Sequence, residues 1–147
     1  PAVAATKIAF VEVGKLLQDS SEVKSVKEKI RKEFAHRDDE LVSQQKQLKK
    51  LQDKLVRDGS IMSEGETKRL ERDIVSRRRK LKNAQSEFQE DLALRQNEEL
   101  NKLRKVIAEV IIDVAKKNGY EIVLESGVVW AADSVNITGK VLKALNK

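Results

Sequence analysis

The sequence has no cysteine, so neither a disulfide framework nor a thiolate metal site is available, and cysteine pattern says nothing of its redox compartment. One proline and six glycines leave few obligatory chain breaks. Aromatic residues make up only 3% of the chain and hydrophobic ones 39%, too little for a large globular core. No apolar run approaches the roughly 20 residues of a membrane-spanning helix. The vocabulary of catalysis is equally thin. His36 is the single histidine and sits beside Arg37, Asp38 and Asp39, which marks a surface residue rather than a ligand. Gly139-Lys140 lacks the upstream glycine of a phosphate-binding loop, so nucleotide-driven cycling has no support. The pairs Asp38-Asp39 and Glu98-Glu99 are of the kind common on exposed helices. These absences argue against an enzyme, and no cofactor or metal is expected.

What the sequence has is charge, 37% of its 147 residues, in a background of Lys, Glu, Gln, Leu and Arg. That composition fits long helices with one apolar seam. Lys7 to Val13 is rich in β-branched and aromatic residues and ends at Gly14, which predicts a short strand closed by a turn. From about Glu22, Phe34, Leu41, Leu48 and Leu55 recur every seven residues, with Val23, Ile30 and Leu51 on the same stripe. The run stops at Asp58-Gly59. Ser63 and Glu66 then form the S-x-x-E pattern of a capping box, so a second helix starts near Glu64. Its seam runs through Leu70, Ile74, Arg77, Leu81, Ala84 and Phe88 and, after a change of phase, through Leu100, Leu103, Ile107, Val110 and Val114. Lys116-Lys117-Asn118-Gly119 places cations and then glycine where a helix ends. Tyr120 to Glu125 and Val128 to Ala132, joined by Ser126-Gly127, predict a β-hairpin, and Ile137, Val141, Leu142 and Leu145 predict a final short helix.

A turn of about six residues between two seamed helices makes them antiparallel. Leu55 against Leu70, Leu51 against Ile74 and Leu41 against Ala84 then fit one register. The expected architecture is a mostly α fold: a coiled-coil hairpin over 22–118, tip at about 58–63, on a small β body from 1–21 and 119–147. An unbroken helix from Glu64 to Asn118 would be about 80 Å long. The body is too small to be stable alone and has open strand edges. Oligomerisation through Ile8, Phe10, Ile122, Leu124, Val129 and Trp130 is therefore expected.

Between Val42 and Lys82 stand thirteen Lys and Arg against six Asp and Glu, giving this stretch +7 in a chain whose total is +6. Such a surface is either an ordinary solvated helix face or a positive tip that draws acidic partners. Acidic polypeptides and anionic lipid fit it better than nucleic acid, because no aromatic side chain lies in the basic region to stack on bases. The candidate basic contacts are Lys49, Lys50, Lys54, Arg57, Arg69, Arg72, Arg77, Arg78 and Arg79. Ile61 and Met62 in the tip, with Val42 and Val75 off the seam, are candidate apolar contacts. Either they widen the seam and staple the tip, or they meet unfolded chains.

Lys7-Ile8-Ala9-Phe10-Val11, Leu51-Gln52-Asp53-Lys54-Leu55, Phe88-Gln89-Glu90-Asp91 with Asn97-Glu98-Glu99, and Asn136-Ile137-Thr138 resemble in order the Skp (OmpH-like) periplasmic chaperone family. The likeness covers essentially the whole chain. It implies a homotrimer with a β-barrel-like base and three hairpin tentacles around a cavity. It also implies ATP-independent holding of unfolded outer-membrane β-barrel precursors, and their delivery toward the membrane. Ala2-Val3-Ala4 would then be what a signal peptide leaves behind, and the location the periplasm. Lipopolysaccharide binding has been proposed for the family; Arg95 matches that basic pattern, but Leu92 and Leu94 stand where it would favour arginine. The alternative reading is a coiled-coil adaptor whose basic tip docks on a folded partner or an anionic membrane.

Overall fold

The computed structural model describes residues 2–147. Pro1, at the head of the N-terminal segment, lies outside them, and Ala2 to Lys7 have no regular secondary structure. The elements run β1 (Ile8–Phe10), α1 (Val13–Asp19), α2 (Ser21–Asp58), α3 (Glu64–Lys117), β2 (Ile122–Leu124), a 3-10 turn (Asp133–Val135) and α4 (Thr138–Leu145). Among the described residues no helix is long and apolar enough to cross a membrane. The chain divides into two compact units, one from the residues up to 29 together with 97–147, the other from 30–96.

In the first unit β1 and β2 pair in parallel, with Ile8, Ala9 and Phe10 opposite Ile122, Val123 and Leu124. The Glu121 amide donates to Lys7 O and the Val11 amide to Leu124 O, extending the pairing past both strand ends. Phe10 also accepts from the Ile137 amide, so β1 lies between β2 and the segment that leads into α4. Alternation along β1 sends Ala9 and Val11 inward, to a core completed by Leu16 of α1, Ile107 and Val114 of α3, and Ile137, Val141 and Leu145. Polar links close the unit. Thr138 Oγ1 accepts from the Glu12 amide at 2.9 Å and donates to Asn136 Oδ1 at 2.6 Å. Asn146 Oδ1 accepts both the amide and the hydroxyl of Ser21. Buried Ser20 caps α2 by accepting from the Val23 amide.

Helix α3 ends as its sequence dictates. Gly119 takes φ +73°, and the amides of Gly119 and Tyr120 donate to Lys116 O and Ala115 O. This is a Schellman stop, which needs the left-handed backbone that glycine adopts without strain. Two expectations fail nearby. Gly14 does not close the first strand but lies inside α1, where one glycine is tolerated. The predicted hairpin is absent, since Val128 to Ala132 form no strand and β2 pairs with β1 instead. The reason is in the turn. Ser126-Gly127 has positive φ only at Gly127, whereas the two-residue hairpin turns need it at the first position.

The second unit is the antiparallel pairing of α2 from residue 30 with α3 up to residue 96, and the tip between them. Leu48, Ile74 and Leu81 are buried in its seam, with Leu41, Leu51, Leu55 and Leu70 packed on them. Near residues 30–40 the seam turns aromatic. The rings of Phe34 and Phe88 meet edge to face at 5.6 Å between centroids. The Arg37 guanidinium lies 5.6 Å from each ring and pairs with Asp91 at 2.8 Å. Phe34, Phe88, Arg37 and Asp91 all fall within one turn of the expected register.

At the tip the Ile61 and Met62 amides both donate to Asp58 O, and the capping box is reciprocal: Glu66 N–H to Ser63 Oγ, Ser63 N–H to Glu66 Oε2. Gly59 has a steric reason. A Cβ there would stand 2.4 Å from the Leu55 carbonyl oxygen, whereas one on Gly14 would meet nothing within 4 Å. Gly59→Ala is therefore expected to destabilise by about 1–3 kcal/mol and to speed amide exchange around the tip. Gly14→Ala should instead stabilise by up to about 1 kcal/mol. Thermal unfolding and hydrogen exchange of the two variants check this, and equal behaviour would refute it.

Candidate functional site

A side chain on a two-helix hairpin has one stripe to bury into, so residues off that stripe are held only by neighbours one turn away. That rule sorts the basic surface. Of the thirteen cations between Val42 and Lys82, three are in ion pairs: Arg57 with Asp58, Lys68 with Glu64 and Arg77 with Asp73. The other ten, Lys46, Lys49, Lys50, Lys54, Arg69, Arg72, Arg78, Arg79, Lys80 and Lys82, are exposed and in no ion pair among the described residues. Seven of the nine predicted basic contacts are in this uncompensated group; Arg57 and Arg77 are not. Partners are lacking because this stretch has few carboxylates, and three of the six are committed to those pairs.

The apolar candidates are also on the surface. Ile61 is 83% exposed, Val42 and Val75 about half, and Met62 is half-buried. Val56 at 87% and Leu94 at 60% join them. Ile61, Met62 and Leu70 line an open groove of about 550 Å³ at the tip, with Lys54, Asp58, Glu66 and Arg69 around it. Sequence reasoning singled out four of these seven but not the groove. The fold of the five-residue turn, not any spacing, sets it.

Arg95 is differently placed. Its side chain is only 20% exposed, and its Nε donates to both Glu33 oxygens at 3.3 and 3.1 Å. It helps to hold α2 to α3. In the other unit Ile8, Ile122 and Leu124 are half exposed, Phe10 is more covered, and Val129 and Trp130 stand in solvent, Trp130 at 80%. Beyond β2 no further strand is paired among the described residues.

The family model described as "Outer membrane protein (OmpH-like)" matches residues 7–145. The chain belongs to the OmpH-like family. Among its relatives, the chaperone protein Skp of Yersinia enterocolitica is 36% identical over 142 residues, covering 96% of this chain and 87% of that protein. The Skp of Pectobacterium atrosepticum is 35% identical, covering 95% and 86%. A Skp-like protein of Pseudomonas aeruginosa is 31% identical, covering 99% and 88%. A crystal structure of an OmpH-like outer membrane chaperone from Caulobacter crescentus superposes with a TM-score of 0.83 over 99% of this chain and 86% of its own. At 14% identity that likeness establishes the fold alone. As an OmpH-like protein, the chain combines a long seamed hairpin with a stretch, Val42 to Lys82, in which ten of thirteen cations are in no ion pair among the described residues.

The tip pair gives this surface a pH dependence. Hydrogen bonds from Arg57, at 3.0 and 3.1 Å, hold the Asp58 carboxyl below the usual carboxylate range; burial opposes them, and the charges of Arg57 and Lys54 add to them. A carboxyl whose folded value is depressed contributes stability above its unfolded pKa, and that contribution is lost as pH falls through the folded value. Tip amides should thus exchange faster as pH drops below about 4, once intrinsic rates are corrected for. Asp58→Asn should remove that step, and an unchanged step in the variant would contradict the assignment.

Proposed function

We propose that this OmpH-like chain is an ATP-independent holdase that keeps unfolded outer-membrane β-barrel precursors soluble in the periplasm and passes them toward the outer membrane. One observation carries the reading: ten exposed cations, in no ion pair among the described residues, share the hairpin with exposed Val42, Val56, Ile61 and Val75. An unfolded chain offers carboxylates and apolar side chains in no fixed arrangement. A surface of unpaired cations and scattered apolar groups meets it at many points, each weak, and avidity retains it. Membership of a family whose members carry the name chaperone points the same way.

Retention by weak contacts needs several arms. The exposed Ile8, Ile122, Leu124, Val129 and Trp130, beside the unpaired edge of β2, support assembly with further copies of the chain. A homotrimer whose strands build a barrel-like base is the arrangement the family resemblance implies. Sedimentation at micromolar concentration should give a mass above that of one 16.7 kDa chain. Trp130→Ser with Val129→Ser should lower it, and a monomeric parent protein would remove this part of the proposal.

The purified protein, without ATP, is expected to hold a urea-diluted β-barrel membrane protein in solution, measured by light scattering. A coiled-coil adaptor that docks a folded partner or an anionic membrane through its basic tip would fail this assay. Changing Lys49, Lys50, Arg77, Arg78 and Arg79 to Glu should slow capture of an acidic client by about tenfold at low salt and flatten its salt dependence. Unaltered capture rates would exclude electrostatic steering.

A further inference from the structure

At the tip groove, cations and apolar side chains share a concave, backbone-fixed surface. Its floor is Ile61, Met62 and Leu70. Ile61 and Met62 are held by the paired hydrogen bonds to Asp58 O, each 3.0 Å, so the groove exists before anything enters it. Its volume of about 550 Å³ lies within the range of small-ligand sites.

The four charged residues around it balance on paper, but not in what they can offer. Asp58 is held by Arg57 through both oxygens, and Glu66 accepts from the Ser63 amide. Both carboxylates already have local partners. Lys54 is in no ion pair among the described residues, and Arg69 gives only its Nε, at 3.3 Å, to Gly65 O. The Arg69 terminal nitrogens and the Lys54 ammonium remain for an incoming anion. The groove therefore pairs an apolar floor with a rim on which the two cations keep donors to offer, and its complement is a carboxylate beside a large apolar side chain.

We infer that the tip groove binds an extended polypeptide segment in which an Asp or Glu neighbours Leu, Ile or Phe, the side-chain carboxylate lying between Lys54 and Arg69. This rests on the reading of the chain as a binder of unfolded polypeptides and gives that surface one defined subsite. A chain emerging unfolded presents such dipeptides often. The groove gives a first point of hold, and the looser basic surface retains the remainder of the client.

Met62 is the only methionine, so a labelled methyl group reports on the groove alone in the full-length assembly. The probe is a blocked heptapeptide, acetyl-Gly-Ser-Leu-Asp-Phe-Ser-Gly-amide. The Met62 signal should shift and saturate with a Kd on the order of 1 mM. Asn for Asp in the peptide, or Lys54→Gln with Arg69→Gln in the protein, should weaken binding about threefold or more, as should Ile61→Ser. Equal response to the Asn peptide, no response at all, or response only to phosphatidylglycerol vesicles would overturn the inference. The light-scattering assay keeps the two claims apart. Aggregation suppressed without peptide binding removes the groove and leaves the holdase; peptide bound without suppression removes the holdase.

Discussion

Two helices facing one another can bury only a narrow stripe of each, and the hairpin of α2 and α3 meets that constraint with few residues. Leu48, Ile74 and Leu81 are its buried aliphatic layer, flanked by partly covered leucines and, further along, by Phe34 against Phe88. Everything off the stripe faces water. Because burial determines so few positions, the rest of the surface is free to carry whatever charge function requires without touching the fold. Cross-helix ion pairs occur beside the aromatic layer: Arg37 with Asp91 and Arg95 with Glu33. The more exposed of the two, Arg37 with Asp91, contributes little as an ion pair, about 0–1 kcal/mol. Its role is register, since a slipped hairpin would face Arg37 away from both its carboxylate and its rings.

The β-containing unit obeys a different rule. Its sheet joins residues near opposite ends of the chain in parallel, which a tight turn cannot do, so the long helices serve as the connection. The hydrogen bonds of Glu12 with Thr138 and of Ser21 with Asn146 tie the same two regions together. Stability here depends on distant parts meeting, and the apolar area gathered is small. Exposed Trp130 and Val129 beside it show that the unit does not cover its own hydrophobic residues.

Legibility in the sequence tracks the range of the interactions. The ends of α3 could be read closely, because capping box and Schellman stop are local chemistry: Ser63 with Glu66, and Gly119 after two lysines. The seam could be read because a seven-residue spacing needs no partner to be seen. The sheet could not. Val128 to Ala132 carry the composition of a strand, yet strand composition describes a half-buried surface, and β1 is the partner that β2 finds. Gly14 shows the same limit, a turn-former absorbed into a helix by the packing of Leu16. On the basic surface a residue count located the excess charge. Which cations lack partners depends on rotamers and one-turn spacings, so Arg57 and Arg77 could not be told from Lys54 and Arg69 by counting.

That difference bears on how such a surface can work. A cation locked to a neighbouring carboxylate has lost side-chain freedom and must break a contact before making another. A lone lysine on an exposed helix keeps its rotamers and gains from each passing carboxylate only a weak, salt-screened attraction. The ten cations between Val42 and Lys82 that are in no ion pair among the described residues give a broad positive field. The committed pairs are local: Arg57 holds the carboxyl of the adjacent Asp58, and Lys68 with Glu64 and Arg77 with Asp73 each span one turn of α3. Cross-helix pairs also hold the arm, Arg37 to Asp91 and Arg95 to Glu33, so the unpaired cations lie between that stretch and the hydrogen-bonded tip turn.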